Sequence, residues 1–109
     1  MNIRICGTGS ALPERKITND DLSQIMDTSD EWISSRTGIK TRHLATEETT
    51  TSLATEAAKK ALADADMKPE EVELIIAATV TPDHLVPTLS CEVQREIGAV
   101  NAVAFDLGA

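Results

Sequence analysis

Apolar and polar positions follow two different periods along this chain, and the changes of period divide it into elements. From Ile3 to Gly7 apolar residues alternate with others and include β-branched ones, which predicts a strand. Gly7-Thr8-Gly9-Ser10 is a turn, and Leu12-Pro13 leads into an irregular segment. Thr18-Asn19-Asp20-Asp21 is a run of helix-capping residues, followed by Leu22, Ile25 and Met26 at helical spacing. A second short helix begins at Thr28 or Ser29. Thr28-Ser29-Asp30-Glu31 has the form of a capping box with Thr28 as the cap, and Gly38 is placed to close the helix. Ile39 to His43 reads as a short extended piece.

The longest helical pattern follows. Thr49-Thr50-Thr51-Ser52 enters it, and Leu53, Ala57, Ala58, Ala61, Leu62 and Ala65 make one narrow apolar stripe. Glu56 and Lys60 stand four apart on the other side, as a favourable ion pair does. Met67 to Glu71 is an exit turn with a helical turn after Pro69. Leu74 to Val80 is apolar without alternation, which fits a parallel strand buried on both faces. Thr81-Pro82-Asp83 breaks it. A helix from Thr88 to Ile97 ends at Gly98, and Ala102 to Phe105 is another buried strand. The order is βαβαβ, an α/β arrangement with a mostly parallel sheet.

At 109 residues there is room for one domain, read as 1–109 with no internal boundary. One Trp, one Phe and no Tyr leave the core to Ala, Val, Ile and Leu. The net charge of −8 argues against nucleic-acid binding and against docking on anionic membranes. Arg36, Lys40 and Arg42 are the densest basic cluster. No secretory h-region opens the chain, and no apolar run reaches the ~18 residues of a membrane span. The reading is cytoplasmic. Cys6 and Cys91 have neither metal nor redox spacing, so buried thiols are expected.

Several residues invite chemistry. Gly7-Thr8-Gly9 follows a predicted strand, but Leu12 stands where a dinucleotide fingerprint needs its third glycine. Trp32 and Arg36 lie four apart on one helix face. That spacing suits an intrahelical cation–π contact, and equally a nucleotide clamp in which the indole stacks on a purine and the guanidinium holds a phosphate. Thr28 reads as a cap, or as a ligand contact. His43 reads as a surface residue and His84 as a solvated loop residue beyond a strand end. Asp106, at the end of a buried strand, must be hydrogen-bonded, and is expected to fix the turn that follows.

Gly7 to Pro13, Thr18 to Leu22, Asp27 to Ile33, Arg36-Thr37-Gly38-Ile39-Lys40-Thr41-Arg42-His43, Thr81-Pro82-Asp83 and Ala104-Phe105-Asp106 together resemble β-ketoacyl-acyl-carrier-protein synthase III. The resemblance runs in register along the whole chain. It implies a thiolase-like fold, of which these residues are the partial N-terminal βαβαβ half of an αβαβα layered arrangement. It also implies an acyltransferase that starts type II fatty acid synthesis, taking an acyl group from acyl-CoA and condensing it with malonyl-acyl carrier protein. A homodimer is implied, with acyl-CoA as substrate and no separate cofactor.

Residue by residue, the resemblance implies that Trp32 stacks on the adenine of CoA, Arg36 meets its phosphates and Thr28 contacts the nucleotide end. The family pattern Phe-Asp-x-x-Ala-[Ala/Ser]-Cys is met only as Phe105-Asp106-Leu107-Gly108-Ala109. The cysteine nucleophile is therefore expected two residues beyond Ala109, at a helix start that lowers its pKa. The family's His and Asn are expected further downstream, and the rest of the same protein is an implied partner. No catalytic role falls on Cys91, His43 or His84, and these residues alone are expected to be inactive. Many family members carry Phe where Val86 stands, at the dimer interface and acyl pocket, so the smaller Val86 implies room for a longer or branched primer. The competing readings are a CoA- or nucleotide-binding module and a dimerisation module, each without catalysis.

Overall fold

Residues 12–48 fold about a buried asparagine. In the computed structural model, which describes residues 1–108, strand β1 (Arg15–Thr18) pairs antiparallel with β2 (Thr41–Leu44), Arg15 opposite Leu44 and Thr18 opposite Thr41. Two helices lie between them, α1 (Asn19–Ser23) and α2 (Asp30–Thr37). Thr18 caps α1. Its hydroxyl accepts from the Asp21 N–H at 3.1 Å, while the Asp21 carboxylate takes the Thr18 N–H at 2.8 Å. Asn19, 1% exposed, is the hub. Its amide nitrogen donates to Asp30 Oδ1 and to the Ile39 carbonyl, each at 2.8 Å, and its Oδ1 accepts from Arg42 at 2.6 Å. α2 buries no residue, so this unit is held by a polar network more than by an apolar stripe.

Residues 1–11 and those from 49 onward form the second compact unit. Helix α3 (Thr50–Asp64) starts at Thr49, in a reciprocal capping pair with Ser52. The expected Glu56–Lys60 pair is present at 2.7 Å. After a 3-10 turn at Pro69–Glu71 come β3 (Leu74–Ala78), α4 (Leu89–Ile97) and β4 (Val103–Leu107). β3 and β4 are parallel, in register from Leu74 opposite Val103 to Ala78 opposite Leu107. A helix joining two parallel neighbours is the βαβ unit that the sequence predicts. Gly98, at φ 79°, ends α4. The Val86–Pro87 peptide is cis. Leu89, Val93 and Ala99 are the buried apolar residues of this unit.

Three expectations change here. Ile3–Gly7 is not a strand. A strand exists by its ladder, and this segment has no partner strand among the described residues. It runs instead along α3, donating the Thr8 N–H to Asp64 at 2.9 Å and accepting from Lys60 at the Ser10 carbonyl at 3.1 Å. Next, β3 and β4 are covered on one face only. Ile75, Ala77, Ala104 and Asp106 are partly covered, whereas Leu74, Ile76, Val103, Phe105 and Leu107 form an exposed apolar face. Finally, Cys6 and Cys91 are both exposed free thiols. On α4 the inward positions are Leu89, Ser90, Glu92 and Val93, which turns Cys91 outward.

Candidate functional site

α2 places the predicted clamp residues. Its first turn is capped by Ser29, not Thr28: Ser29 is extended, and its hydroxyl accepts from the Trp32 N–H at 3.1 Å. The helix thus begins one residue later than the capping-box pattern at Thr28 implies, and Thr28 sits just before the cap, partly exposed. One turn after Trp32, the Arg36 guanidinium carbon lies 4.5 Å from the centre of the indole ring, a cation–π contact. Trp32 keeps 53% of its surface exposed. Among the described residues Arg36 has no carboxylate in ion-pair reach. Gly38, left-handed at φ 71°, ends the helix two residues on.

The basic cluster divides. Arg42 turns inward to Asn19, while Lys40 donates to Ser34 at 3.0 Å, so Arg36 is the cation on the Trp32 face. Hydrogen bonds from Asn19 and then Ser34 hold the Asp30 carboxyl below the ordinary aspartate value. Asn19 looks in sequence like one more capping residue, so its place at the centre of this network has no separate signal there. His43 is exposed, as expected, with Nδ1 2.6 Å from the Pro13 carbonyl.

The second locality lies beyond the carboxyl ends of β3 and β4. A cleft of about 360 Å³ is lined there by Thr79, Pro82, His84, Thr88 and Asp106, among others. Among the described residues, Asp106 holds the start of α4 and not the turn after its own strand. Its carboxylate accepts the Leu89 N–H at 2.9 Å and the Ser90 N–H at 2.8 Å, capping α4. Burial pushes its pKa up, but the hydrogen bonds from Ser90 and Leu89 outweigh that and hold it below the ordinary value. His84, well exposed, stands 3.3 Å from the buried Glu92 carboxylate, which also accepts from Thr51 at 2.8 Å. Val86 is 86% exposed. Ala109, the last residue of the expected Phe-Asp-x-x-Ala run, lies outside the described residues. No cluster of His, Cys, Asp or Glu among the described residues is arranged to hold a metal ion.

No family model matches the chain. Curated relatives do. It is 54% identical over 108 residues to the β-ketoacyl-[acyl-carrier-protein] synthase III of Clostridium acetobutylicum, covering 99% of this chain and 33% of that protein. It is 57% identical over 104 residues to the enzyme of the same name from Caldanaerobacter subterraneus subsp. tengcongensis, covering 94% and 31%. Along nearly its whole length, then, the chain is similar to β-ketoacyl-[acyl-carrier-protein] synthase III. It spans about a third of the length of these synthase III relatives.

Solved structures agree. The synthase III of Aquifex aeolicus VF5 matches with a TM-score of 0.93 at 53% identity, over 96% of this chain and 34% of that one. The priming β-ketosynthase of the R1128 polyketide pathway matches with a TM-score of 0.93 at 37% identity, over 97% and 32%. The fold is therefore that of part of a thiolase-like synthase III: an α/β arrangement containing a parallel βαβ unit.

Proposed function

We propose that this chain supplies the CoA-nucleotide clamp of a β-ketoacyl synthase III. Arg36 stacked on a half-exposed Trp32 is the observation that carries the reading. An aromatic plane suits a purine, and a guanidinium with no carboxylate beside it suits a phosphate. Thr28, one residue before the α2 cap, contacts the nucleotide end. The reaction served is acyl transfer from acyl-CoA to a cysteine, then condensation with malonyl-acyl carrier protein. With uptake of one proton it yields 3-oxoacyl-acyl carrier protein, CoA and CO2.

None of residues 1–109 takes the nucleophile, His or Asn role; their part is to bind and orient the CoA end. Val86 shapes the acyl pocket at the interface of a homodimer, and the enzyme works in the cytoplasm. No helix among the described residues is long and apolar enough to cross a membrane.

Trp32 is the only tryptophan, so its fluorescence reports the clamp directly. Titration with CoA is expected to quench it saturably, adenosine 3′,5′-bisphosphate to do the same, and pantetheine to leave it unchanged. Arg36→Ala is expected to weaken the CoA response about tenfold, the worth of one charge-assisted hydrogen bond. Absence of quenching at millimolar CoA overturns the reading. Self-association without any ligand response favours the dimerisation module, a reading supported by the exposed apolar face of β3 and β4.

A further inference from the structure

The segment from Thr79 to Thr88 has no regular structure, yet it is tied down at both ends. At its start, the Asp83 carboxylate accepts the Thr50 N–H at 3.0 Å and the Thr51 N–H at 2.7 Å, the first two residues of α3. The Thr50 hydroxyl donates to the Thr81 carbonyl at 3.1 Å, so the same helix end grips the segment twice. His84 then meets Glu92 of α4 at 3.3 Å, and that carboxylate is held from the other side by Thr51 at 2.8 Å. At its far end, Asp106 pins the first turn of α4 through Leu89 and Ser90. Between the two anchors stand Leu85 and Val86, each 86% exposed.

Two bare apolar side chains on a loop stapled at both ends are held for contact, because a free loop of this length averages over many positions. The carboxylate does this work as an anion. Hydrogen bonding from Thr51, and then from the Thr50 N–H, holds its pKa at about 2.

We infer that Asp83 is a positioning residue for primer selection: by anchoring the loop to the start of α3 it fixes where Val86 stands. The inference rests on the proposed role of Val86 in the acyl pocket. Asp83 acts here through its bonds to the start of α3. Its effect passes through one side chain, so it alters the choice between primers more than the rate common to all of them.

The test uses residues 1–109 in place of the matching third of the Clostridium acetobutylicum relative, with acetyl-CoA and a branched acyl-CoA as competing primers. Val86→Phe is expected to move selectivity toward acetyl-CoA. Asp83→Ala is expected to lower the branched-over-acetyl ratio of kcat/KM by about threefold or more, and Asp83→Asn, which keeps one acceptor oxygen, to recover part of it. In a Val86→Ala background the Asp83→Ala effect on the ratio is expected to vanish, as coupled neighbours require. Thr50→Val, which removes only the second strap, shifts the ratio in the same direction and serves if Asp83→Ala does not fold. Val86→Phe without any change in preference overturns the Val86 role itself. A Val86→Phe shift together with Asp83→Ala or Thr50→Val slowing both primers equally leaves that role standing and overturns the positioning of Asp83.

Discussion

The Asp106 carboxylate receives the backbone N–H of Ser90 at 2.8 Å, which ties the end of β4 to the start of α4. With the Leu89 N–H at 2.9 Å it satisfies two of the donors that a helix N-terminus leaves unpaired. Thr88, at the N-cap position, makes no side-chain cap of its own, so Asp106 stands in for it across the βαβ unit. Asp106→Ala is expected to cost about 2 kcal/mol, in the range for hydrogen bonds to charged groups. Urea unfolding measures the loss, and amide exchange should locate it at Leu89 and Ser90. Unchanged protection at those two amides would count against the capping role.

Asn19 is expected to be the least replaceable polar residue of the 12–48 unit. Asn19→Ala removes the donors to Asp30 and Ile39 and leaves the partly buried Arg42 with only its longer bond, 3.5 Å to the Ile17 carbonyl. A loss of about 3 kcal/mol is expected, typical of breaking a buried network. Asn19→Asp is also expected to destabilise, because a carboxylate would then face Asp30. Equal urea midpoints for the parent and Asn19→Ala would show that the network contributes no net stability.

Acid should weaken each unit through its own carboxylate. Glu48 is held at about 2 by backbone N–H groups, those of Thr46 first and then its own, Glu14 and Glu47. Asp83 is held at about 2 as well. Both values lie below the unfolded ones of 4.5 and 3.8, so the unfolded chain binds these protons more readily. The stabilisation is fully present above about pH 4.5 and is lost as pH falls toward 2. Glu48→Gln and Asp83→Asn are each expected to flatten the acid limb of a plot of unfolding midpoint against pH. A limb of unchanged steepness in both variants would locate the acid sensitivity elsewhere.

Thr55→Val should stabilise the chain. Thr55 is 8% exposed, and its hydroxyl has no hydrogen-bond partner among the described residues. Replacing it with a methyl group removes a desolvated, unsatisfied donor worth about 1 kcal/mol, which amounts to a rise of roughly 4 to 8 °C in Tm for a domain of this size. A fall in Tm would mean that the hydroxyl finds a partner in solution.

Long, strongly patterned segments were the legible ones. α3 is announced by its alanine stripe and by the Glu56–Lys60 spacing, and α4 by its apolar positions and Gly98. Of the β1–β2 pair only β2 shows in the sequence, as the short extended piece at Ile39 to His43, and β1 gives no such sign. Both strands, Arg-Lys-Ile-Thr and Thr-Arg-His-Leu, are four residues each, mostly polar and without alternation, so their pairing and no apolar pattern defines them. The Trp32–Arg36 contact could be read from its spacing because an i,i+4 relation is local. The roles of Asp83, Asp106 and Asn19 could not, since their partners are fixed by tertiary placement. Asp83 reaches residues 33 and 32 positions away. Ser29 and Thr28 carry the same hydroxyl, and only the backbone angles decide which of them caps.

Gly7 and Gly9 cross α3 where Ala57, Ala61 and Ala65 face them. A methyl group added at Gly7 would lie 2.6 Å from the Ala61 carbonyl oxygen, and one at Gly9 would run into the Ala57 carbonyl oxygen. Elsewhere in a protein, a side chain that grows on one surface can be matched by one that shrinks on the other. Here the atoms in the way are chiefly the backbone of α3, with the Ala65 and Lys60 Cβ atoms beside them, and no smaller side chain withdraws a backbone atom. The seam therefore has no compensating exchange open to it. Sequence drift along this crossing is confined to changes that leave both surfaces as small as they are, whatever freedom the rest of the chain enjoys.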